Sequence, residues 1–238
     1  MKAIILAGGK GTRGKPYTEY FPKAMTPING KPMIHYVVKY LKSFNFIKEV
    51  IIISDYNGLG GQIKNYYGNQ KNIKFIQDSQ SGTGGDLLHI EKELKNESEF
   101  LLWFVDNLCA VDIKKMKKTF KEKNSSACIA TRTKRKEETG FAKVENGLIS
   151  EFKEKPIIEL QLSECLGIYM LGKEVIQKIK KINHKQVNLS YDILQQLSKE
   201  GKVSAYDIAE KEWIDAESPM VLERNKKIVT KIIKQMER

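Results

Sequence analysis

An apolar segment at the start of the chain runs directly into a glycine-rich loop, and this junction constrains the fold most strongly. Residues 2–7 (KAIILA) have the composition of a short buried strand, and residues 8–14 (GGKGTRG) follow at once. Glycines let the backbone approach a polyphosphate and direct its N–H groups at the oxygens. Arg13 adds a cation that can hold phosphate oxygens bidentately. The junction therefore predicts a nucleotide-phosphate site at the end of a buried strand.

Three kinds of phosphate loop compete for these residues. Residues 9–14 match the dinucleotide-binding spacing G-x-G-x-x-G, but Lys15-Pro16 stands where a helix should open, and residues 30–38 lack the expected acidic residue. The P-loop spacing fits the same glycines and Lys15, but Pro16 takes the place of the metal-binding hydroxyl. The third kind, which we favour, is an extended loop that wraps a nucleoside triphosphate and carries its own lysine.

The rest of the chain alternates strand-like and helix-like segments. Because the strands are apolar throughout rather than at every second position, both faces of the sheet should be covered. We therefore predict an α/β fold with a doubly wound, mostly parallel mixed sheet and an inserted β-hairpin around the turn at residues 145–147. Strands are predicted at 2–7, 50–54, 73–77, 100–105, 127–131 and 166–170, and helices at 33–43, 84–94 and 191–199.

The charge of the chain suits anionic substrates. It has 41 basic and 29 acidic residues, a formal net charge of +12, and such a field would concentrate polyanions. The lysines are spread over helix-like segments at 112–123, 173–185 and 223–238, which favours solvated helix faces over a nucleic-acid surface. We predict no nucleic-acid partner, and a salt-dependent duplex-binding assay tests that alternative.

The sequence also limits the compartment. No apolar run approaches 18 residues and no signal peptide is evident, so no membrane partner is expected. Cys109, Cys128 and Cys165 are widely spaced and form no C-x-x-C motif, so they indicate neither a zinc site nor a disulfide framework. Reduced thiols in the cytoplasm are the expectation.

The stretch at 9–34 resembles the signature of the sugar-phosphate nucleotidyltransferases, G-x-G-T-R-x-x-P-x-T followed by P-K-x-M/L-x-P and G-K-P-M/L-I. The departure at Gly14, where Leu is usual, removes no chemical group. The resemblance runs in order from Ala3 to about Asn225, and it implies a Rossmann-like nucleotidyltransferase fold in a single domain, 1–238, without a C-terminal β-helix domain. The matching residues are Gly9, Gly11, Thr12, Arg13, Pro16, Thr18, Pro22, Lys23, Met25, Pro27, Gly30, Lys31, Pro32 and Ile34.

The resemblance also implies a nucleotide site. In it Arg13 and Lys23 are the catalytic cations that contact the phosphates. Gln77 lies five positions before Gly82, as in family members that use uridine or thymidine triphosphate, and its amide can offer one donor and one acceptor to a pyrimidine edge. An ordinary strand-end glutamine is an equally weighted alternative. The nucleotide-binding residues are predicted to be Leu6, Ala7, Gly8, Gly9, Gly11, Thr12, Arg13, Gln77, Gly82 and Thr83.

Two aspartates are candidates for a metal site. Asp106 ends the most apolar predicted strand, where ligands commonly bind, although such a residue is often only a turn or cap residue. Mg²⁺ is usually held by one or two carboxylates plus substrate phosphates. The resemblance implies that Asp106 and Asp215 hold Mg²⁺, with Asp215 in a segment similar to W-x-D-x-G-T-P. There Glu217 and Ser218 replace the usual Gly and Thr, and Ser218 also reads as the N-cap of a helix.

A sugar-binding region is implied between about residues 138 and 170. Glu154-Lys155-Pro156 resembles the family's E-K-P motif, in which Lys holds the sugar phosphate and Glu contacts sugar hydroxyls. Tyr169 belongs to a segment similar to the family's G-I-Y strand. Phe141-Ala142 stands where Tyr-Gly is common near the sugar. The predicted sugar-phosphate-binding residues are Asp106, Phe141, Ala142, Glu154, Lys155 and Tyr169.

The implied activity is transfer of a nucleotidyl group from a nucleoside triphosphate, UTP or dTTP by preference, to a sugar 1-phosphate, with Mg²⁺ as cofactor. The products are an NDP-sugar and pyrophosphate. We allow for a homo-oligomer. Two alternatives stay open: a cytidylyltransferase for an alcohol phosphate such as phosphocholine, and a catalytically silent regulator that binds a sugar nucleotide.

Overall fold

A seven-stranded mixed sheet forms the centre of the molecule in the computed structural model, which describes residues 1–9, 11–183 and 185–237. No helix within these ranges is both long and apolar enough to cross a membrane. The strands are β1 (Lys2–Leu6), β2 (Pro27–Ile28), β3 (Lys31–Pro32), β4 (Glu49–Ser54), β5 (Ile73–Gln77), β6 (Glu99–Phe104), β7 (Asn107–Cys109), β8 (Ala127–Lys136), β9 (Gly140–Glu145), β10 (Leu148–Glu154), β11 (Ile157–Gly172), β12 (Val203–Asp207) and β13 (Trp213–Asp215).

Helices connect most of these strands. The α-helices are α1 (Met33–Lys42), α2 (Gly61–Tyr67), α3 (Gly82–His89), α4 (Glu91–Leu94), α5 (Ile113–Glu122), α6 (Lys173–Ile179), α7 (Gln195–Lys199), α8 (Pro219–Arg224) and α9 (Lys226–Met236). Short 3₁₀ turns cover Thr12–Gly14, Tyr17–Glu19 and Lys23–Met25, and a π-helical turn covers Leu189–Leu194.

The strand order of the central sheet is β12-β8-β11-β6-β1-β4-β5. Strands β6, β1, β4 and β5 run parallel to their neighbours in that part of the sheet, and β12 runs parallel to β8. Strand β11 is antiparallel to both β6 and β8. This arrangement confirms the predicted mostly parallel mixed sheet.

Hydrophobic side chains cover both faces of the sheet. Within β1, Ile5 belongs to one buried cluster and Ile4 to another, and Ile52 and Ile51 of β4 divide in the same way. Because successive side chains of a strand point to opposite faces, the two clusters lie on opposite sides of the sheet. Helices α1, α2, α5 and α9 pack on the first face, and α3, α4, α6 and α7 pack on the second. The fold is therefore doubly wound, as predicted.

Several element bounds differ from the sequence-based ones. The single helix predicted at 84–94 is divided into α3 and α4, because Ile90 leaves helical geometry with φ −95° and ψ 14°. The predicted strands at 127–131 and 166–170 are only parts of β8 and β11. These two strands continue beyond the sheet as an antiparallel ribbon, whose register shifts twice. The predicted helix at 191–199 begins as the π-helical turn and ends as α7.

The predicted hairpin is present as β9 and β10. Glu145 lies opposite Leu148, and the intervening Asn146-Gly147 has φ values of 50° and 80°. Both central residues of a type I′ turn need positive φ, and Asn-Gly is the pair that best provides it. The hairpin is exposed along its whole length. The structure thus bears out this insertion as an element, while its role in binding sugar stays a prediction.

We predict that the two isoleucines Ile52 and Ile149 respond very differently to truncation. Ile52 is fully buried in β4, so Ile52→Ala should reduce the free energy of unfolding by about 2–5 kcal/mol, through lost apolar burial and the cavity left behind. Ile149 is 62% exposed in β10, and Ile149→Ala should change it by less than about 0.5 kcal/mol. Urea unfolding followed by circular dichroism measures both, and equal losses would contradict the assignment of the core.

Candidate active site

The carboxyl ends of β1 and β6 lie side by side and carry the predicted phosphate loop and metal ligand. Leu6 is paired with Phe104 in the parallel register, and the Val105 N–H donates to the Leu6 carbonyl at 3.1 Å. The glycine loop and Asp106 therefore leave the same edge of the sheet. In open α/β sheets this edge is where ligands bind.

A short ribbon brings the second aspartate to the same place. Strands β7 and β13 are antiparallel, and Asn107 lies directly opposite Asp215. The Ala216 N–H then donates to the Asp106 carbonyl at 2.7 Å. Ser218 follows as the N-cap of α8. The two predicted metal ligands thus come together, and the helix-start interpretation of this segment is also confirmed.

Asn107 organises this part of the site, and the sequence analysis missed it. Its Nδ2 donates to Asp106 Oδ1 at 2.9 Å, and its Oδ1 accepts from the Gly167 N–H and from Trp213 Nε1, each at 2.9 Å. Its carbonyl accepts from Trp103 Nε1 at 2.8 Å. A Cβ atom at Gly167 would lie 2.4 Å from Asn107 Nδ2, so the close approach requires glycine. The signal in the sequence was an asparagine directly after the strand-end aspartate.

Lys23 reaches the first aspartate directly. It lies in the turn Lys23–Met25, and its Nζ is 2.5 Å from Asp106 Oδ2. Both side chains are largely buried, with 14% and 22% of their surface exposed. A charge-assisted hydrogen bond in such surroundings is stronger than one in water. The structure thus places in contact two residues to which the sequence analysis gave different roles, Lys23 in phosphate binding and Asp106 in metal binding.

Arg13 stands at the open side of the site. Gly11 adopts a left-handed conformation with φ 60°, and its carbonyl accepts from Thr18 Oγ1 at 2.7 Å, which holds the loop over the buried Thr18 side chain. The turn Thr12–Gly14 follows and presents Arg13 outward, where its guanidinium forms an ion pair with the Glu217 carboxylate. Glu217 was identified from the sequence only as a departure from the family pattern.

Asp215 has the electrostatic character of a metal ligand. Its Oδ1 is buried and has no hydrogen-bond partner within the described residues. Burial raises the pKa of the Asp215 carboxyl, as do the nearby carboxylates of Asp106 and Glu217, whereas Lys23 and Arg13 act to lower it. An orphaned carboxylate oxygen beside a second carboxylate fits a divalent cation. The described residues contain no cluster of three metal-ligating side chains, so two carboxylates would have to be supplemented by substrate phosphates, as is usual for Mg²⁺.

Two adjoining cavities open at this edge. The larger, of about 560 Å³, is lined by Leu6, Gly8, Gly9, Asp55, Asp78, Gln80, Gly82, Thr83, Asp86 and Gln186. The smaller, of about 160 Å³, is lined by Leu6, Ala7, Gly9, Gly11, Lys23, Thr83, Phe104, Val105 and Asp106. Most of the predicted nucleotide-binding residues therefore surround one continuous space. A Cβ atom at Gly8 would lie 1.9 Å from Asp78 Oδ2, so a side chain there would require the Asp78 carboxylate to move.

Gln77 lies at the end of β5, beside this space but not in its lining. Its Oε1 accepts from the Tyr56 N–H at 2.9 Å, and its Nε2 donates to Asp55 Oδ1 at 2.9 Å. The amide thus already has one acceptor and one donor partner. Recognition of a base by Gln77 would require exchange of these partners, and the predicted pyrimidine preference stays a prediction.

The predicted sugar-binding residues are not brought together with the carboxylates to the same degree. Phe141, Ala142, Glu154 and Lys155 lie exposed on the hairpin and at the turn into β11. Tyr169 is buried in β11, where its ring lies 5.6 Å from the ring of Phe104, and burial raises the pKa of its hydroxyl to about 12. The roles of these five residues stay predictions.

Comparison with known proteins identifies the family. Residues 2–228 match the family model for nucleotidyl transferase. The chain belongs to this family. Its relatives include a UTP–glucose-1-phosphate uridylyltransferase of Synechocystis, 32% identical over 237 residues that cover 90% of this chain and 60% of that protein. The chain thus spans less than two thirds of that relative's length.

Two further comparisons bear on the nucleotide and on the fold. A D-glycero-α-D-manno-heptose 1-phosphate guanylyltransferase of Campylobacter jejuni is 35% identical over 181 residues, covering 74% of this chain and 77% of that protein. A crystal structure of HddC from Yersinia pseudotuberculosis aligns with a TM-score of 0.69 at 24% identity, over 97% of this chain and 98% of that one. The structural likeness, together with the family match over residues 2–228, confirms the predicted fold.

The raised pKa of Asp215 generates a stability prediction. The pKa of Asp215 is raised above its ordinary value of 3.8, so the folded state favours the protonated carboxyl. The stability that protonation gives the folded state is present at low pH and is lost as the pH rises through the folded pKa. Above that pH the folded protein holds the ionised carboxylate at a cost in free energy. Asp215→Asn should therefore raise the melting temperature at pH 7, by about 2–4 °C for each ~1 kcal/mol regained.

The control for this variant is Glu210→Gln, which removes one negative charge at an exposed position. It should leave the melting temperature almost unchanged. Differential scanning calorimetry in metal-free buffer compares the three proteins. A lower melting temperature for Asp215→Asn would show that the ionised carboxylate is stabilised by its surroundings.

Proposed function

We propose that the protein transfers a nucleotidyl group from a nucleoside triphosphate to a sugar 1-phosphate. The observation that carries the proposal is the contact of Lys23 with Asp106, beside the orphaned oxygen of Asp215 and at the mouth of the glycine-loop cavity. Cations and carboxylates meet there at the carboxyl edge of a parallel sheet. That combination suits a polyphosphate bound together with a divalent cation.

The proposed reaction requires charge neutralisation and alignment rather than a covalent intermediate. An oxygen of the sugar phosphate attacks the α-phosphorus, a new P–O bond forms there, and the bond from the α-phosphorus to the bridging oxygen breaks as pyrophosphate leaves. Arg13 would stabilise negative charge on the triphosphate and on the departing pyrophosphate. Lys23 would contact the phosphates during transfer.

Asp106 and Asp215 are the residues that would hold Mg²⁺. The cation would neutralise phosphate charge and help to align the two substrates. Lys23 Nζ is hydrogen-bonded to Asp106 Oδ2 in this structure, so the lysine would turn towards the phosphates when the carboxylate takes up the metal. Asn107 fixes the orientation of Asp106 through the bond to its other oxygen.

The sugar 1-phosphate would be bound from the side of the hairpin. We extend the proposal to Glu154 and Lys155 for the sugar hydroxyls and phosphate, and to Phe141 and Ala142 for the sugar ring. Tyr169 supports this direction, because its contact with Phe104 joins β11 to the strand that leads to Asp106. The hairpin is exposed, so its side chains are accessible to a substrate.

The test is a panel of triphosphates crossed with sugar 1-phosphates, with pyrophosphate release as the readout. Activity should appear with at least one pair, should vanish with chelator and should return with Mg²⁺. Asp106→Asn and Asp215→Asn should reduce turnover by orders of magnitude while the circular dichroism spectrum is retained. No pyrophosphate release from any pair, or full activity of both variants without metal, would refute the proposal.

We predict a large and local effect of Arg13. Arg13→Ala removes a charge positioned for the phosphates and should lower kcat/KM by about 10²–10³-fold, as for single preorganised donors elsewhere. Lys23→Ala should weaken both triphosphate binding and turnover. Lys15→Ala is the matched control, because Lys15 lies in the same loop but is exposed and is paired with Glu19. An equal loss for Lys15→Ala would indicate a general charge effect.

The base preference predicted from the sequence is testable separately. If the Gln77 amide pairs with a pyrimidine edge, UTP or dTTP should exceed GTP in kcat/KM by roughly tenfold to a hundredfold, since an unpaired buried amide costs about 1–3 kcal/mol. Gln77→Ala should reduce that ratio without abolishing the chemistry. The relatives named above include a uridylyl- and a guanylyltransferase, so both triphosphates belong in the assay. A wild-type preference for GTP would show that Gln77 does not select the base.

A further inference from the structure

The ion pair between Arg13 and Glu217 lies at the solvent-exposed side of the candidate site. It joins the loop after β1 to the segment after β13, which are far apart in the sequence. The side chain of Arg13 is 63% exposed and that of Glu217 is 34% exposed, so the pair faces solvent at the mouth of the site. The residue proposed to receive the triphosphate is thus already bound to an anion.

The backbone presents the Glu217 carboxylate from a fixed position. On one side the Ala216 N–H is bonded to the Asp106 carbonyl, and on the other Ser218 caps α8. Glu217 therefore stands between two anchored residues, and only its side chain can rotate away. The Glu217 charge raises the pKa of Asp215 and the Arg13 charge lowers it, so the three side chains are close enough to interact electrostatically.

Carboxylates and phosphates compete for the same guanidinium donors. The planar fork of arginine binds either group bidentately, so Arg13 cannot give its full set of donors to both. Glu217 is also tethered, which makes it an intramolecular competitor whose effective concentration does not depend on dilution. A polyphosphate must displace it, because two anions at one guanidinium would also repel each other.

We propose that Glu217 is a tethered anion that occupies Arg13 in the nucleotide-free protein and is displaced by the incoming polyphosphate. The proposal rests on the proposed function, in which Arg13 binds the triphosphate. In this role Glu217 acts through Arg13. It weakens polyphosphate binding, and it aids the release of pyrophosphate by returning to Arg13. An exposed ion pair has a small net effect, so the penalty is one that a highly charged ligand overcomes.

Calorimetric titration of the whole chain with inorganic pyrophosphate and Mg²⁺ tests this. Glu217→Gln should bind pyrophosphate about two- to fivefold more tightly than the wild type, the range that the loss of an exposed ion pair produces. Glu217→Ala should change affinity in the same direction. Glu19→Gln is the matched control, because it removes the same charge from a nearby exposed pair with Lys15 and should leave affinity unchanged.

A double-mutant cycle separates displacement from a general charge effect. In an Arg13→Ala background, Glu217→Gln should have no greater effect than Glu19→Gln, because the competitor no longer has a cation to occupy. Equal or weaker pyrophosphate binding by Glu217→Gln, with Arg13→Ala still impaired, would overturn this inference and leave the proposed function intact. Failure of every variant and of the wild type to bind pyrophosphate would overturn both.

Discussion

The hydrogen bonds of one buried amide hold the site together. Asn107 is 6% exposed, and its side chain bonds to residues of three different segments: Asp106 beside it, Gly167 in β11 and Trp213 in β13. Loss of the amide would leave buried donors without partners, at about 1–3 kcal/mol each. The orientation of the Asp106 carboxylate therefore depends on the sheet and the ribbon at once. A buried amide with these three side-chain hydrogen bonds makes the site more rigid.

The sequence was most informative where a pattern is local. Apolar runs located six of the seven strands of the central sheet, all but β12, and the Asn-Gly turn located the hairpin. The helix-like segment at 112–123 contains α5, whose apolar residues Ile113, Met116 and Phe120 are buried. These features follow from the geometry of a single element, so neighbouring residues are enough to indicate them.

Features that depend on distant pairing were not predictable in the same way. Strands β7 and β13 have three residues each, too few for a periodic pattern, yet their pairing brings Asp106 and Asp215 together. The resemblance supplied both aspartates, but it gave no sign of the ribbon and no role for Asn107. Likewise, no sequence pattern relates Arg13 to Glu217 or Gln77 to Tyr56, because each pair meets only after the chain has folded.

Strand β11 has an exposed half and a buried half, and this division affects how such a protein can evolve. Its second half is buried in the central sheet next to β6, while its first half extends into the exposed ribbon that adjoins the hairpin. The register of β11 with β6 involves only residues 168–172, all of them in the buried half. Under the proposed function, selection could therefore alter the acceptor through the exposed half while the residues proposed to hold the nucleotide stay unchanged, so that one strand separates an evolvable surface from a constrained one.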